Sequence, residues 1–349
     1  MMIIPNGHTG QDEPPYSDCD PREEHDKAKA LTPVSKADQR AMEGMPIHGR
    51  SSNSMLWRNI VSALRVPQWS KNLLIFAPVS VTRSFDAQTV FDAATAFVAF
   101  CLAASATYVV NDLVDREADR NHHHKRYRVF ASGQMSPPAG FALIAALGMA
   151  AALLATRLPW QFGVALLLYV AGSLAYSLVL KRMLAIDVVT IACLYVLRIV
   201  AGDEAIGAQF DGIDSSNWIL GFCCLFFLSL ALVKRCSDLS AIRAEVDGRM
   251  AGRSYRTEDF PVLMAFSAAS AMASIAILMR YIDSKTVTES YRNPDTLWLV
   301  VPVIVFWLLR MILLANRGKI REDPVVFTFK DRKSQICTLA VALIAFAAV

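Results

Sequence analysis

The sequence predicts an all-α, polytopic membrane protein with nine transmembrane helices around a central cavity. Three observations predict it. Hydrophobic residues make up 54% of the 349 residues and charged residues only 19%, too apolar for an ordinary soluble domain of this length. The apolar residues form continuous blocks, which is the pattern of bilayer-crossing helices and not the alternation of a membrane barrel. Lys and Arg crowd the loops on one side of those blocks, as the positive-inside rule requires of cytoplasmic loops.

The elements follow in order. Residues 1–54 are polar, contain prolines and both charge signs, and carry no apolar pattern. They are expected to form a disordered tail without a signal peptide, ahead of a transmembrane domain at 55–349. Between Met55 and Arg65, Leu56, Ile60 and Leu64 share one helical face, with Arg58 and Arg65 off it, so a short interfacial helix is expected. Spans then fall at about 64–82, 88–110, 137–156, 159–179, 186–202, 217–234, 261–282, 296–315 and 335–349. The first contains Pro67 and Pro78, and the last is barely long enough to cross. With a cytoplasmic N-terminus, the inner loops hold the basic groups 116–128, 181–182, 235–256 and 317–333. The outer loops hold only Arg83, Arg157, Lys285 and Arg292. The expected location is the inner (cytoplasmic) membrane of a cell. The net charge of +4 reflects these basic loops facing anionic headgroups or substrates and is no sign of nucleic acid. Seven scattered cysteines show neither CxxC nor zinc spacing and are assigned no chemistry.

The chemistry is concentrated at the inner ends. Asn111 opens an acidic stretch in which Asp112, Asp115 and Asp119 stand at i, i+3 and i+7, on one face of a helix. Three like charges there repel unless a cation sits among them. Mg²⁺ keeps one or two carboxylates and gives its other positions to water and phosphate, so an Mg²⁺–diphosphate site is one reading. The other is a solvated helix end paired to Arg116 and Arg120. Lys125, Arg126 and Arg128 follow, supplying cations for phosphoryl oxygens that a metal does not reach. His122, His123 and His124 are consecutive and do not converge on one point, which argues against a transition metal. Trp69 and Lys71 suit either interfacial anchoring or a headgroup phosphate. Lys181 and Asp187 bracket a short turn after Tyr176. Either they contribute to the site, or Lys181 snorkels and Asp187 caps the next helix. Lys234, Arg235 and Asp238, with Glu245, Asp247, Arg253 and Tyr255 behind them, read as a loop that either completes a cage or is merely solvated. Arg198 lies well inside a span and calls for a cavity, a partner or the nearer interface. Arg280 and Arg310 are expected to snorkel.

Taken together these residues resemble the UbiA superfamily of intramembrane prenyltransferases. Asn111, Asp112, Asp115 and Asp119 match its NDxxDxxxD motif. Asp119, Arg120, His122, Lys125, Arg128, Ala131, Ser132 and Gly133 match the following DRxHPxKxxRPxASG pattern, with His123 and Val129 in place of two prolines. Tyr176, Ser177, Leu180 and Lys181 match YSxxLK. Within the superfamily the chain looks most like the decaprenyl-phosphate phosphoribosyltransferase branch. The residues responsible are Pro67 to Asn72, Asp187-Val188-Val189, Leu197-Arg198, Lys234-Arg235, Arg317-Gly318, Glu322 to Val325 and Lys330-Asp331-Arg332. The DxxxD motif typical of aromatic prenyltransferases is absent, and Lys234-Arg235-x-x-Asp238 stands in its place.

The resemblance implies Mg²⁺-dependent transfer of a 5-phosphoribosyl group from phosphoribosyl diphosphate to a polyprenyl phosphate, within bilayer lipids. Asp112, Asp115 and Asp119 would bind Mg²⁺, and Lys125, Arg128 and Lys181 would offset the departing diphosphate. Asp187 or Asp238 would steady the sugar cation, and Lys71, Lys234 and Arg235 would hold the lipid phosphate. Asn72, Asn111, Tyr176 and Arg198 complete the substrate-binding set. Self-association into a homo-oligomer is left open. Three alternatives stand beside this reading: transfer of a prenyl group from a prenyl diphosphate to an aromatic or other acceptor, a transporter, and a scaffold without catalysis. Transporters place charges near the midplane in repeated halves, whereas here the charges crowd one side.

Overall fold

A computed structural model describes residues 52–82, 85–121, 125–207, 217–242, 250, 253–320 and 322–348, and every regular element among them is helical. The expectations for the N-terminal tail, for His122 to His124, and for Glu245 and Asp247 lie outside the described residues.

Helix α1 (Ser52–Leu64) ends at Arg65, whose left-handed backbone (φ 51°) turns the chain into a 3-10 segment, Val66–Phe76. Pro67 opens that segment, where its missing N–H costs nothing. The short α2 (Ala77–Thr82) completes the stretch expected as the first span. Asp86 caps α3 (Ala87–Val114) by accepting the backbone N–H groups of Gln88 and Thr89 at 3.1 and 3.0 Å. Ala93, Ala96, Ala99, Ala103 and Ala104 are buried on α3, and such small side chains let neighbouring helices approach closely. After α4 (Arg116–Arg120) come α5 (Pro137–Ala155), α6 (Trp160–Leu178), α7 (Ile186–Ile206) and α8 (Asn217–Ile242). The chain continues with α9 (Phe260–Ile282), α10 (Lys285–Ser290), α11 (Val300–Asn316), α12 (Pro324–Lys330) and α13 (Arg332–Ala348).

Two backbone details hold the packing. Gly318 (φ 63°) ends α11, with its N–H on the Ala315 carbonyl and that of Lys319 on Leu314, both at 2.9 Å. That left-handed termination favours glycine. A Cβ at Gly202 on α7 would lie 2.2 Å from the Ile75 carbonyl oxygen, so only glycine lets α7 lie against the 3-10 segment.

Six helical stretches among the described residues are long and apolar enough to cross a membrane, against nine expected. The other three expected spans are helical but of different character. Residues 66–82 begin as a proline-initiated 3-10 turn, α7 carries Asp187, Arg198, Asp203 and Glu204, and α13 has 17 residues. Large apolar side chains such as Phe141, Met149, Leu153, Leu167 and Phe346 are exposed on α5, α6 and α13, a surface suited to lipid and not to water. One apolar core joins α7, α8, α9 and α11 around Tyr195, Phe227, Leu230 and Met311. Another joins α3, α6 and α7 around Phe100, Phe162 and Tyr169. The charged loop 125–136 is seated on α1 and α3 by Ala63, Val109, Val129 and Phe130.

Candidate active site

The acidic stripe lies where α3 gives way to α4. Asp115 occupies the junction, yet its N–H still bonds the Asn111 carbonyl (2.9 Å) and its carbonyl accepts from Asp119 (2.8 Å). Helical geometry therefore persists, and one guanidinium nitrogen, Arg128 Nη1, reaches both Asp112 (3.2 Å) and Asp119 (2.7 Å). Arg65 Nη2 donates to the same Asp112 oxygen, Oδ1, that Arg128 reaches. Lys181 Nζ donates to both oxygens of Asp115 at 2.8 and 3.1 Å and lies 3.5 Å from Asn111 Oδ1. Asp112 and Asp119 are buried, while the Asp115 side chain is 25% exposed. Three cations from three separate segments thus meet three carboxylates.

Arg116 and Arg120, the basic residues nearest in sequence, do not pair with the stripe. Their Nε atoms donate to the carbonyls of Phe130 (3.2 Å) and Ala131 (3.0 Å), fixing the loop that carries Arg128. Lys125 belongs to the same environment. Burial and the neighbouring Arg128 lower the pKa of its ammonium, against the pull of Asp119 and Asp115.

A second cluster surrounds Asp187 at the start of α7. The Asp187 side chain is fully buried and both oxygens are engaged. One accepts from Arg235 Nε (2.7 Å) and Arg253 Nη1 (3.2 Å), and the other accepts from the Tyr255 hydroxyl. Arg235 also donates to Asp238 (3.1 Å) and to the Tyr176 hydroxyl (3.1 Å), which accepts from Arg253 as well (3.1 Å). Lys234 Nζ reaches Asp238 at 2.5 Å. Lys234, Arg235 and Asp238 are therefore on α8, which runs eight residues past the expected end of the span, and not on a loop. The turn into α7 is strained: Ala185 has φ 65° and ψ −36°, and its N–H donates to Tyr255 Oη at 3.1 Å.

Arg198 finds partners inside the bundle. Its Nε donates to Asn72 Oδ1 (2.9 Å), its Nη2 to the Tyr169 hydroxyl (3.0 Å) and its Nη1 to the Leu194 carbonyl. Its guanidinium also lies 4.6 and 5.3 Å from the ring centroids of Tyr169 and Tyr195. Lys71 pairs with Asp323 at 2.7 Å, and Tyr195 Oη donates to the same carboxylate at 3.2 Å. Arg310 forms a two-pronged pair with Asp331 at 2.7 and 2.9 Å. Arg280 sits exposed beside Asp283 at 3.0 Å.

An apolar chamber of about 820 Å³ is walled by the 3-10 segment, α2, α7, α8, α9, α11, α12 and α13. Leu74, Phe226, Phe227, Trp307 and Phe329 line it, and the acidic stripe does not. A second hollow of about 670 Å³ lies among α3, α5 and α6.

Among the described residues, no three His, Cys, Asp or Glu side chains are gathered as a metal cage. Arg65, Arg128 and Lys181 take that place around the stripe. The donors themselves are hard carboxylate oxygens, which fit a magnesium ion that keeps water and phosphate ligands. The sequence reading gives Arg65 and Tyr195 no part in the site, names Asp323 only among the residues that carry the resemblance, and names Arg253 and Tyr255 only within a stretch that either completes a cage or is solvated. Asp323 carries a readable signal: an Asp before Pro324 marks a helix start, and its side chain indeed caps α12 at Val325 N (3.0 Å).

Comparison with known proteins gives the fold and the family. The chain is 39% identical over 279 residues to the protein y4nM of Sinorhizobium fredii, covering 78% of this chain and 52% of that one. It thus spans about half the length of that relative. It is 30% identical over 285 residues to nodulation protein NoeC of Azorhizobium caulinodans, covering 80% and 90% of the two chains. It is 29% identical over 305 residues to decaprenyl-phosphate phosphoribosyltransferase of Mycolicibacterium smegmatis, covering 85% and 94%. Its architecture is similar to that of a UbiA homolog from Archaeoglobus fulgidus bound to GPP and Mg²⁺, with TM-score 0.62 and 16% identity over 83% of this chain and 99% of that one. The UbiA prenyltransferase family matches residues 74–331, and to that family of membrane enzymes the chain belongs.

Proposed function

We propose that the protein transfers a 5-phosphoribosyl group from phosphoribosyl diphosphate to a polyprenyl phosphate at the cytoplasmic face of the inner membrane. One observation carries the reading: cations from three segments converge on the acidic stripe, and further arginines stand behind it on α8 and at Arg253. That surplus of positive charge suits a donor bearing more phosphate than one diphosphate. The relatives that carry the phosphoribosyltransferase name support it, at 29% identity for the Mycolicibacterium protein.

In this reading Asp112, Asp115 and Asp119 would hold Mg²⁺, which when bound offsets the charge of the leaving diphosphate. Lys181 hands over its carboxylate and turns to phosphoryl oxygens, with Arg128 and Lys125 beside it. An oxygen of the lipid phosphate attacks ribose C1 as the C1–O bond to diphosphate breaks. The attacking group is already an anion, so no base is needed. Lys71, beside the chamber wall at Leu74, receives the lipid phosphate, and the isoprenoid tail lies in the chamber. Asp238, with its side chain 29% exposed, is better placed than sealed Asp187 to face a sugar cation.

A second reading, prenyl transfer from a prenyl diphosphate, draws on the same aromatic-lined chamber, which suits an isoprenoid on donor or acceptor alike. Incubating the purified protein with Mg²⁺, ribose-labelled phosphoribosyl diphosphate and polyprenyl phosphate separates the two. Label in the lipid fraction is the expected result. Unlabelled lipid, with prenyl transfer to an aromatic acceptor in the parallel reaction, would establish the second reading.

A further inference from the structure

The Asp187 cluster contains one arginine that is anchored along only one edge. Arg253 uses Nη1 for three contacts: Tyr176 Oη at 3.1 Å, Asp187 at 3.2 Å and the Lys181 carbonyl at 3.4 Å. Among the described residues its Nε and Nη2 have no hydrogen-bond partner, and its side chain stays 22% exposed. Arg235 is the opposite. All three of its guanidinium nitrogens are engaged, and its side chain is 4% exposed. Arg235 and Asp187 therefore form a fixed base, and Arg253 presents a fork outward from it.

Arg253 also lies close to the acidic stripe. Lys181 joins the two clusters, with Nζ on Asp115 and its backbone carbonyl on Arg253. The charges of Arg253, Arg128, Asp119 and Asp115 all act on Lys125. Arg253 is thus linked to the acidic stripe through Lys181 but, among the described residues, forms no ion pair with it. Its setting is stiff. Tyr255 Oη accepts from the strained Ala185 N–H and donates to Asp187, while Ser254 Oγ donates to the Arg182 carbonyl. Such strain at a non-glycine residue persists only where the surroundings impose it. A planar fork suits a phosphate monoester better than a lysine does, because it offers two parallel donors.

We propose that Arg253 binds the phosphate monoester at the far end of the sugar donor, apart from the diphosphate at the acidic stripe, and that Tyr255 and Asp187 are positioning residues for it. This rests on the phosphoribosyl reading above. It explains the chemistry of the second cluster: cations, not further carboxylates, meet the donor's second anionic end.

Ribose 5-phosphate and inorganic diphosphate with Mg²⁺ probe the two ends separately, by calorimetric titration of the purified full chain in detergent. Wild type is expected to bind both. Arg253→Ala should weaken ribose 5-phosphate at least about tenfold and diphosphate less than about threefold, the retained diphosphate binding showing that the variant is folded. Arg253→Lys should fall between, and Tyr255→Phe should weaken ribose 5-phosphate by a smaller factor with diphosphate unchanged. Equal binding of ribose 5-phosphate by wild type and Arg253→Ala would overturn the assignment alone, as would equal loss of both ligands. Failure of wild type to bind ribose 5-phosphate would overturn it together with the phosphoribosyl reading.

Discussion

Two carboxylate clusters face the same end of the bundle and are built in opposite ways. Asp115 is 25% exposed and holds one partner, the flexible ammonium of Lys181, while Arg128 divides a single nitrogen between Asp112 and Asp119. Asp187 is sealed, with two guanidinium groups and a phenol closing both oxygens. A pair partly open to water, as Lys181–Asp115 is, contributes about 1 kcal/mol or less and exchanges partners more readily than a sealed one. Buried networks lose about 3–5 kcal/mol when one member is removed, because the remaining charge is stranded. Within the stripe it is the partly exposed Lys181–Asp115 pair that we expect to yield to a ligand, whereas buried Asp112 and Asp119 and the sealed Asp187 network hold their neighbours in place.

Substitutions that spare the fold sharpen this contrast most. Asp115→Asn should lower transfer by about a hundredfold or more, while the thermal midpoint in detergent stays near that of wild type. A variant that kept full Mg²⁺-dependent turnover would end the distinction. Asp187→Ala should act the other way, with destabilisation of about 3–5 kcal/mol and poor recovery of folded protein. An undisturbed midpoint for that variant would mean that the buried network carries no structural weight.

Lys181→Ala separates binding from catalysis. A KM for the donor raised about tenfold with kcat unchanged would mark ground-state phosphate binding, which the exchange picture predicts. An equal fall in kcat and kcat/KM would place its effect in the transition state. The smallest effect concerns acid. Burial pushes the Asp323 carboxyl up, but the Lys71 ammonium and the donors Val325 N–H and Tyr195 Oη outweigh it and hold the group below the usual carboxylate range. A depressed carboxyl stabilises the fold above its unfolded value and loses that contribution as pH falls through its folded value. The midpoint gap between wild type and Asp323→Asn should therefore be steady near pH 7 and close below about pH 4. A gap that widens on acidification would contradict the pairing.

Much of this was legible in the sequence, for reasons of period and charge. Continuous apolar blocks announce α3, α5, α6, α8, α9 and α11. The i, i+3, i+7 spacing places Asp112, Asp115 and Asp119 together, and Arg128 does bridge the first and last. Pairing across the fold was harder to read. Arg116 and Arg120 are the nearest bases in sequence, yet loop carbonyls claim them, and the stripe instead draws on Arg65, 47 residues away from Asp112, and Lys181, 66 away from Asp115. Such partners are set by which helices abut, a tertiary property with no local signature. Among the described residues three expected spans fall outside the six long apolar helices: residues 66–82 open as a proline-led 3-10 turn at Pro67, α7 carries Asp187, Arg198, Asp203 and Glu204, and α13 has 17 residues. Asp187 drew attention as a possible catalytic carboxylate, and only burial reveals that its oxygens are already taken.

The central claim is that the acidic stripe seats a divalent ion together with a diphosphate. Mn²⁺ in place of Mg²⁺ allows it to be tested by electron paramagnetic resonance on the purified protein, with and without inorganic diphosphate. The account predicts a protein-bound Mn²⁺ signal that strengthens when diphosphate is added and is lost in Asp115→Asn. A bound signal of equal strength in wild type and Asp115→Asn, with diphosphate present, would contradict it.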